Sequence, residues 1–310
     1  MRRVPVVIIS GFLGSGKTTL LLNMLQVFRQ KGKPPAVLIN ERGKIDIDGM
    51  LVSRKSNAEN VETLLDGCIC CSKKSEIASS IDKLLQTKPD AIFIELTGVA
   101  DPEEVAKVLN ESEIIAKVSL RMVITVVDSE YLLNNNEPNI NNLMNSQTRL
   151  ANFIVVNKTD LIAEKDKGNI EQMLREQNSS ATIVFGQYGN IDMEQMLNRM
   201  SQSVPPIPIT DSKSESPAFT SMTTTALPIE KAVRMKDVEA FFKKHAGTII
   251  RAKGFVPISA GEKERSYLLQ YSGVQRMEWK EEETDRFYLV LIGVDLNGRD
   301  LKEKWLSMTE

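Results

Sequence analysis

Histidine is nearly missing: His245 is the only one in 310 residues, and cysteine occurs just three times. That excludes a histidine-rich metal store and any catalytic scheme built on two imidazoles. The three cysteines, Cys68, Cys70 and Cys71, cannot make the multi-disulfide framework of a small secreted domain. Adjacent Cys70 and Cys71 would form a strained disulfide, so the cluster reads as thiolates in a reducing compartment. An excess of one charge is lacking as well. Lys and Arg total 39 against 41 Asp and Glu, a net charge of −2, which advertises neither nucleic acid nor an anionic membrane. Apolar runs reach about seven residues, far below the roughly 20 that span a bilayer. Met1-Arg2-Arg3 with Val4–Ser10 is too short for a secretory leader and has no small-residue cleavage site. The expectation is a soluble cytoplasmic protein with no nucleic-acid and no membrane partner.

What is present is globular. Hydrophobic residues make up 42% and charged residues 26%, and the length suggests about two domains. Val6–Ile9, Ala36–Ile39, Ala91–Glu95, Met122–Val127, Phe153–Val156 and Thr182–Phe185 read as strands buried on both faces. Thr18–Gln30, Lys74–Gln86, Glu103–Leu109, Lys165–Glu176 and Asp192–Met200 read as the helices between them. This alternation predicts an α/β fold with a mostly parallel sheet covered by helices. The asparagine-rich stretch Asn135–Asn145 reads as a polar surface loop. Ser203–Pro217, rich in proline and serine, reads as a linker, giving a first domain over 1–203, a linker over 204–217 and a second domain over 218–310. In the second, Ala218–Thr225, Thr248–Val256, Arg265–Tyr271 with its continuation to Trp279, and Phe287–Gly293 look like strands. Val238–His245 and Asp300–Met308 look helical, so a smaller α+β domain with an antiparallel sheet is expected.

The strongest chemical signal is Gly11-Phe12-Leu13-Gly14-Ser15-Gly16-Lys17-Thr18, a P-loop pattern between an apolar strand and a helix. Gly11, Gly14 and Gly16 let backbone N–H groups, with Ser15 and Thr19, turn toward phosphate oxygens at a helix N-terminus. Lys17 is the candidate for the β- and γ-phosphates, and the Thr18 hydroxyl for Mg²⁺. Asn157-Lys158-Thr159-Asp160 follows a later strand. The Asp160 carboxylate can accept from guanine N1–H and its exocyclic amine, a donor pair adenine lacks, while the Lys158 stem packs on the base. GTP is favoured over ATP. Glu95-Leu96-Thr97-Gly98 ends another strand, where Glu95 can face the Mg²⁺ shell or orient water and Gly98 can approach the γ-phosphate. Lys17, Glu95 and Gly98 are therefore the candidate catalytic residues. Asp128 is a weaker candidate and serves equally as a helix N-cap.

Three sulfurs at 68, 70 and 71 can converge on Zn²⁺, Cu⁺ or Co²⁺ but cannot alone complete a tetrahedral structural site. A labile fourth position suits delivery or sensing. Small buried cysteines and a thiol redox switch are the alternatives. His245, at the end of a helical stretch, reads as a cap or surface residue.

Taken together, Gly11–Thr19, Asn40-Glu41-x-Gly43, Gly67-Cys-Ile-Cys-Cys71, Glu95-x-Thr-Gly-x-Ala-Asp-Pro102 and Asn157–Asp160 resemble the CobW-type metallochaperone GTPases. The likeness covers the whole first domain. In the second it is fainter, with Arg251-Ala-Lys-Gly-Phe255 its best match. The resemblance implies a slow GTPase that uses Mg²⁺, binds a transition metal such as zinc or cobalt, and hands it to a client protein. It also implies that Glu41 and the cysteine loop act as switch elements, with Glu41 an oxygen ligand beside Cys70. This chain departs from the family pattern at Arg42 and Lys44, where phenylalanine and a carboxylate are usual, which brings a cation near the metal or Mg²⁺ region. Composition and spacing leave two other functions open: a GTPase that activates a partner without carrying metal, and a redox sensor on a nucleotide domain. The oligomeric state is open.

Overall fold

A computed structural model describes residues 3–41, 61–65, 72–134, 138–201, 222–246, 248–260, 263–272, 276–284, 287–294 and 296–309. These form two compact units, one ending at residue 201 and the other beginning at 222 within the described chain. The expected linker at 203–217 and all three cysteines lie outside the described residues.

The first unit runs β1 (Val4–Ser10), α1 (Lys17–Gln30), β2 (Pro35–Glu41), β3 (Val61–Leu65), α2 (Ser72–Gln86), β4 (Ala91–Leu96), α3 (Pro102–Leu109) and α4 (Ser112–Ile115). It continues with β5 (Val118–Asp128), α5 (Ser129–Asn134), α6 (Pro138–Leu150), β6 (Phe153–Asn157), α7 (Asp166–Gln177), β7 (Thr182–Phe185) and α8 (Met193–Ser201). The seven strands pair in parallel in the order β3-β2-β4-β1-β5-β6-β7. Successive side chains of a strand point to opposite faces, and here both faces are covered. Val7 and Ile9 join Leu20, Met24 and Phe28 of α1 in one cluster. Val6 and Ile8 join Ile77 and Ile81 of α2 and Val105 of α3 in another. That double burial is why the strands read as continuous apolar runs.

The chain leaves β1 across β4 to reach β2, and leaves β4 across β1 to reach β5. Such a reversal opens a crevice at the carboxyl ends of the strands. The P-loop, the Glu95–Gly98 turn and the Asn157–Asp160 turn all follow strand ends on that edge.

Two expectations need correction. Residues 138–145 are helical and form most of α6, not a surface loop. Asparagine composition hid the pattern: Leu143, Met144, Gln147 and Thr148 are buried at helical spacing, and Pro138 suits the first turn of a helix. Residues 135–137 lie outside the described chain. The edge strand β3 was not expected, because Glu62 interrupts a short apolar run.

The second unit contains β8 (Met222–Pro228), α9 (Met235–Lys244), β9 (Ile249–Ala260), β10 (Lys263–Ser272), β11 (Arg276–Glu281), β12 (Tyr288–Val294) and α10 (Gly298–Thr309). Its antiparallel sheet has the order β11-β10-β9-β12-β8. The single run expected from Arg265 to Trp279 is a hairpin of β10 and β11. Val238, Phe241 and Phe242 of α9 and Leu301 and Trp305 of α10 pack with Val256, Leu269 and Leu289 of the sheet. His245 follows α9 as its C-cap. Its Nδ1 lies 2.8 Å from the Phe241 carbonyl, which can only accept, so Nδ1 carries the proton.

Candidate nucleotide site

The loop between β1 and α1 turns through left-handed backbone at Gly11, Gly14 and Gly16, with φ of 130°, 78° and 105°. Gly16 is required twice over: a Cβ there would also lie 2.2 Å from Asn157 Nδ2. Lys17, 5% exposed, folds back so that Nζ donates to the carbonyls of Gly11 at 2.9 Å and Phe12 at 3.1 Å. The first turn of α1 carries no acidic side chain, so its positive end is left for an anion. The buried Ser15 hydroxyl has no hydrogen-bond partner among the described residues.

The end of β4 reaches the same helix. Thr18 Oγ1 donates to Glu95 Oε1 at 2.7 Å, and Glu95 is 3% exposed. Two hard oxygen donors are thus adjacent at the phosphate end of the site, the chemistry Mg²⁺ takes. Gly98 presses on the P-loop, since a Cβ there would lie 2.5 Å from Leu13 N. Beyond it, Asp101 caps α3 by accepting from Glu103 N at 2.9 Å.

At the end of β6, the Asn157 carboxamide acts as a strut. Its Nδ2 donates to Ser15 O at 2.8 Å and its Oδ1 accepts from Gly189 N at 3.0 Å. Lys158 adopts a left-handed conformation, φ 61° and ψ 35°, and pairs with Asp128 Oδ2 at 2.8 Å. Asp128 also accepts from Tyr131 N at 3.1 Å, so it is both a cap for α5 and the anchor of Lys158. Ser129 Oγ holds the Lys158 carbonyl at 2.9 Å, and Thr159 donates through N and Oγ1 to Gly186 O. Asp160 stands exposed in the 3-10 turn Thr159–Leu161, free of these ties.

Lys17, Thr18, Glu95, Gly98 and Asn157 are therefore brought together by direct contacts with the P-loop, with Lys158 and Asp160 on the adjoining turn. Thr19 follows Thr18 in the first turn of α1. Glu41 ends β2 and pairs in register with Leu65 of β3. Cys68, Cys70, Cys71, Arg42 and Lys44 lie outside the described residues. Among the described residues, no group of three or more His, Cys, Asp or Glu can hold a metal ion. The gap the sequence reading left is Gln147, whose amide grips the turn after Glu95; only its burial on α6 would have drawn notice to it.

A parallel sheet with a P-loop after its central strand, and a second Asn-Lys-x-Asp turn tied to it, defines a P-loop nucleotide-binding protein. Residues 5–185 match the CobW/HypB/UreG nucleotide-binding domain, and residues 222–309 match the cobalamin synthesis protein cobW C-terminal domain. The chain belongs to the CobW/HypB/UreG family. It is 28% identical over 330 aligned positions to the zinc chaperone YjiA of Escherichia coli strain K12, covering 99% of each chain. Against the zinc-regulated GTPase metalloprotein activator 1 of Schizosaccharomyces pombe it is 32% identical over 203 positions, covering 61% of this chain and 47% of that one. The crystal structure of Zn(II)-bound YjiA GTPase from E. coli superposes over both full chains with a TM-score of 0.48 and 20% identity. No helix among the described residues is long and apolar enough to cross a membrane.

Proposed function

We propose that this protein is a GTP-hydrolysing metal chaperone that carries zinc, or alternatively cobalt, to a client protein in the cytoplasm. The observation that carries the nucleotide reading is Asn157. Its carboxamide joins Ser15 of the phosphate loop to Gly189 beside the Asn157–Asp160 turn. A base read at Asp160 and phosphates held at Lys17 then belong to one site. Guanine suits it, because a carboxylate accepts two hydrogen bonds from guanine N1–H and N2.

The site's chemistry fits a magnesium nucleotide. Lys17 and the amides of Gly14, Gly16, Thr18 and Thr19 would bind the phosphates, Thr18 and Glu95 would hold Mg²⁺, and Gly98 would approach the γ-phosphate. When bound, Mg²⁺ neutralises charge on the β- and γ-oxygens. Lys17 would do the same from the protein side, and Glu95, where it does not hold Mg²⁺, would orient the attacking water.

The metal is the cargo, with Cys68, Cys70, Cys71 and Glu41 as its ligands. Support comes from the pairing of Glu41 with Leu65: the six residues between Leu65 and Ser72 contain all three cysteines. Relatives named as zinc chaperones favour zinc. Because the cysteine loop follows a strand of the nucleotide sheet, metal and γ-phosphate would favour one conformation, and each would change the other's affinity equally.

The test is titration of Zn²⁺ and Co²⁺ into reduced protein with a Mg²⁺-GTP analogue, with Mg²⁺-GDP and without nucleotide. We expect a nucleotide-dependent affinity change of about tenfold or more, near 1.4 kcal/mol, and its loss in Cys70→Ser. Tight binding that ignores nucleotide would sink the coupling. No binding in any state would support the second reading, a GTPase that activates its client without carrying metal, which Lys44 favours.

A further inference from the structure

Gln147 of α6 is 1% exposed, and its amide lies against the turn after Glu95. Its side chain contacts two main-chain carbonyls, Gly98 O at 3.3 Å and Ala100 O at 3.0 Å. Carbonyls only accept, so the amide's NH₂ end must face them. The other end, Oε1, is buried and finds no hydrogen-bond donor among the described residues. A buried acceptor without a donor is costly. Leucine or methionine would fill the space without that cost, so packing alone does not account for a glutamine here. Its grip on the loop does.

The platform behind Gln147 is firmly held. Thr125 Oγ1 of β5 donates to the Gln147 carbonyl at 2.7 Å. Asn178 Nδ2, at the end of α7, donates to Thr148 O, Arg149 O and Ala151 O at 2.9, 3.2 and 2.7 Å, closing carbonyls that a helix C-terminus leaves open. Gly98 is meanwhile pressed against Leu13 of the P-loop. The loop is thus held between the phosphate cradle on one side and α6 on the other.

We infer that Gln147 is a positioning residue for GTP hydrolysis: it suspends the Glu95–Ala100 loop from α6 and so fixes Glu95 and Gly98 against the P-loop. The inference rests on the GTPase reading proposed above. Among the described residues the Gln147 side chain bonds only Gly98 and Ala100, neither the base turn nor Lys17, so its effect falls on turnover and spares nucleotide affinity.

The experiment compares Gln147→Met, which keeps volume and loses the donor, with Gln147→Glu, which keeps shape. GTP hydrolysis and fluorescent-GDP affinity are measured for both and for the wild type. For Gln147→Met we expect kcat to fall about tenfold or more with KM and GDP affinity within threefold. Gln147→Glu sets a carboxylate against two carbonyls at pH 8; toward pH 6, protonation returns one donor and part of the rate. A merely space-filling residue gives no such recovery. Wild-type turnover in Gln147→Met overturns the inference, as does a parallel loss of GDP affinity and melting temperature. A wild-type protein that binds GDP but does not hydrolyse GTP overturns the GTPase reading, and the positioning role with it.

Discussion

Polar side chains are buried very differently in the two units. In the first, twelve polar or charged residues among those described are below 9% exposed, with Ser10, Ser15, Lys17, Glu95, Asp128 and Asn157 around the P-loop and the ends of β4, β5 and β6. In the second, Lys253 is the one such residue among those described. Its core is instead built of rings: Phe241 meets Trp305 edge-on at 5.2 Å, and Phe242 stacks on Tyr271 at 4.5 Å. Burying polar groups is costly unless they are hydrogen-bonded, so a chain concentrates them where chemistry requires it. The first unit builds polar groups of the candidate nucleotide site into its packing, whereas the second has an apolar core.

The largest effect that would sharpen this contrast is Trp305→Ala. Trp305 is 1% exposed, and removing so large a buried ring costs about 3–5 kcal/mol. Urea unfolding should show that loss, while GDP affinity below the transition stays within threefold of wild type. A matching collapse of GDP affinity would break the division of labour. Next comes Asp160→Asn, on the surface of the first unit. It trades a double acceptor for one acceptor and one donor, so GDP binding should fall about 10- to 100-fold. Xanthosine diphosphate, which carries a carbonyl where guanine has its amine, should gain affinity in the same titration. Equal loss of both nucleotides would remove Asp160 from base recognition.

Legibility followed the same division. The P-loop was readable because its chemistry lies in consecutive residues, and the doubly buried strands because both faces demand apolar side chains. The two helices of the second unit were legible from period, but the turn that makes a hairpin of Arg265–Trp279 was not. The struts were not. Gln147 grips carbonyls 49 and 47 positions earlier in the chain, and Asn157 reaches 142 positions back to Ser15, so no local spacing announces either contact. The sequence shows Lys158 only as a stem to pack on the base, because its pairing with Asp128 depends on β5 lying beside β6. α6 was hidden by its own asparagines, because composition spoke for a loop where burial of Leu143 and Met144 dictated a helix.

The smallest expected effect tests how the first unit tolerates its polar burial. Asp101 caps α3 through Glu103 N, with Pro102 in the first turn. Burial raises its carboxyl pKa above the ordinary 3.8, against the lowering pull of that amide. A carboxyl whose folded pKa is raised favours folding in its neutral form. Its stabilisation is therefore fully present below 3.8 and is lost as pH rises through the folded value. Asp101→Asn keeps an oxygen for Glu103 N and cannot ionise. The variant should match wild type near pH 3.5 and become modestly more stable than it by pH 6.5. Urea midpoints for both proteins at the two pH values check this, since taking the difference cancels every other carboxylate. A variant that instead becomes less stable than wild type as pH rises would mean that the Glu103 amide, not burial, governs Asp101, and that even this partly buried carboxylate is held as a charge.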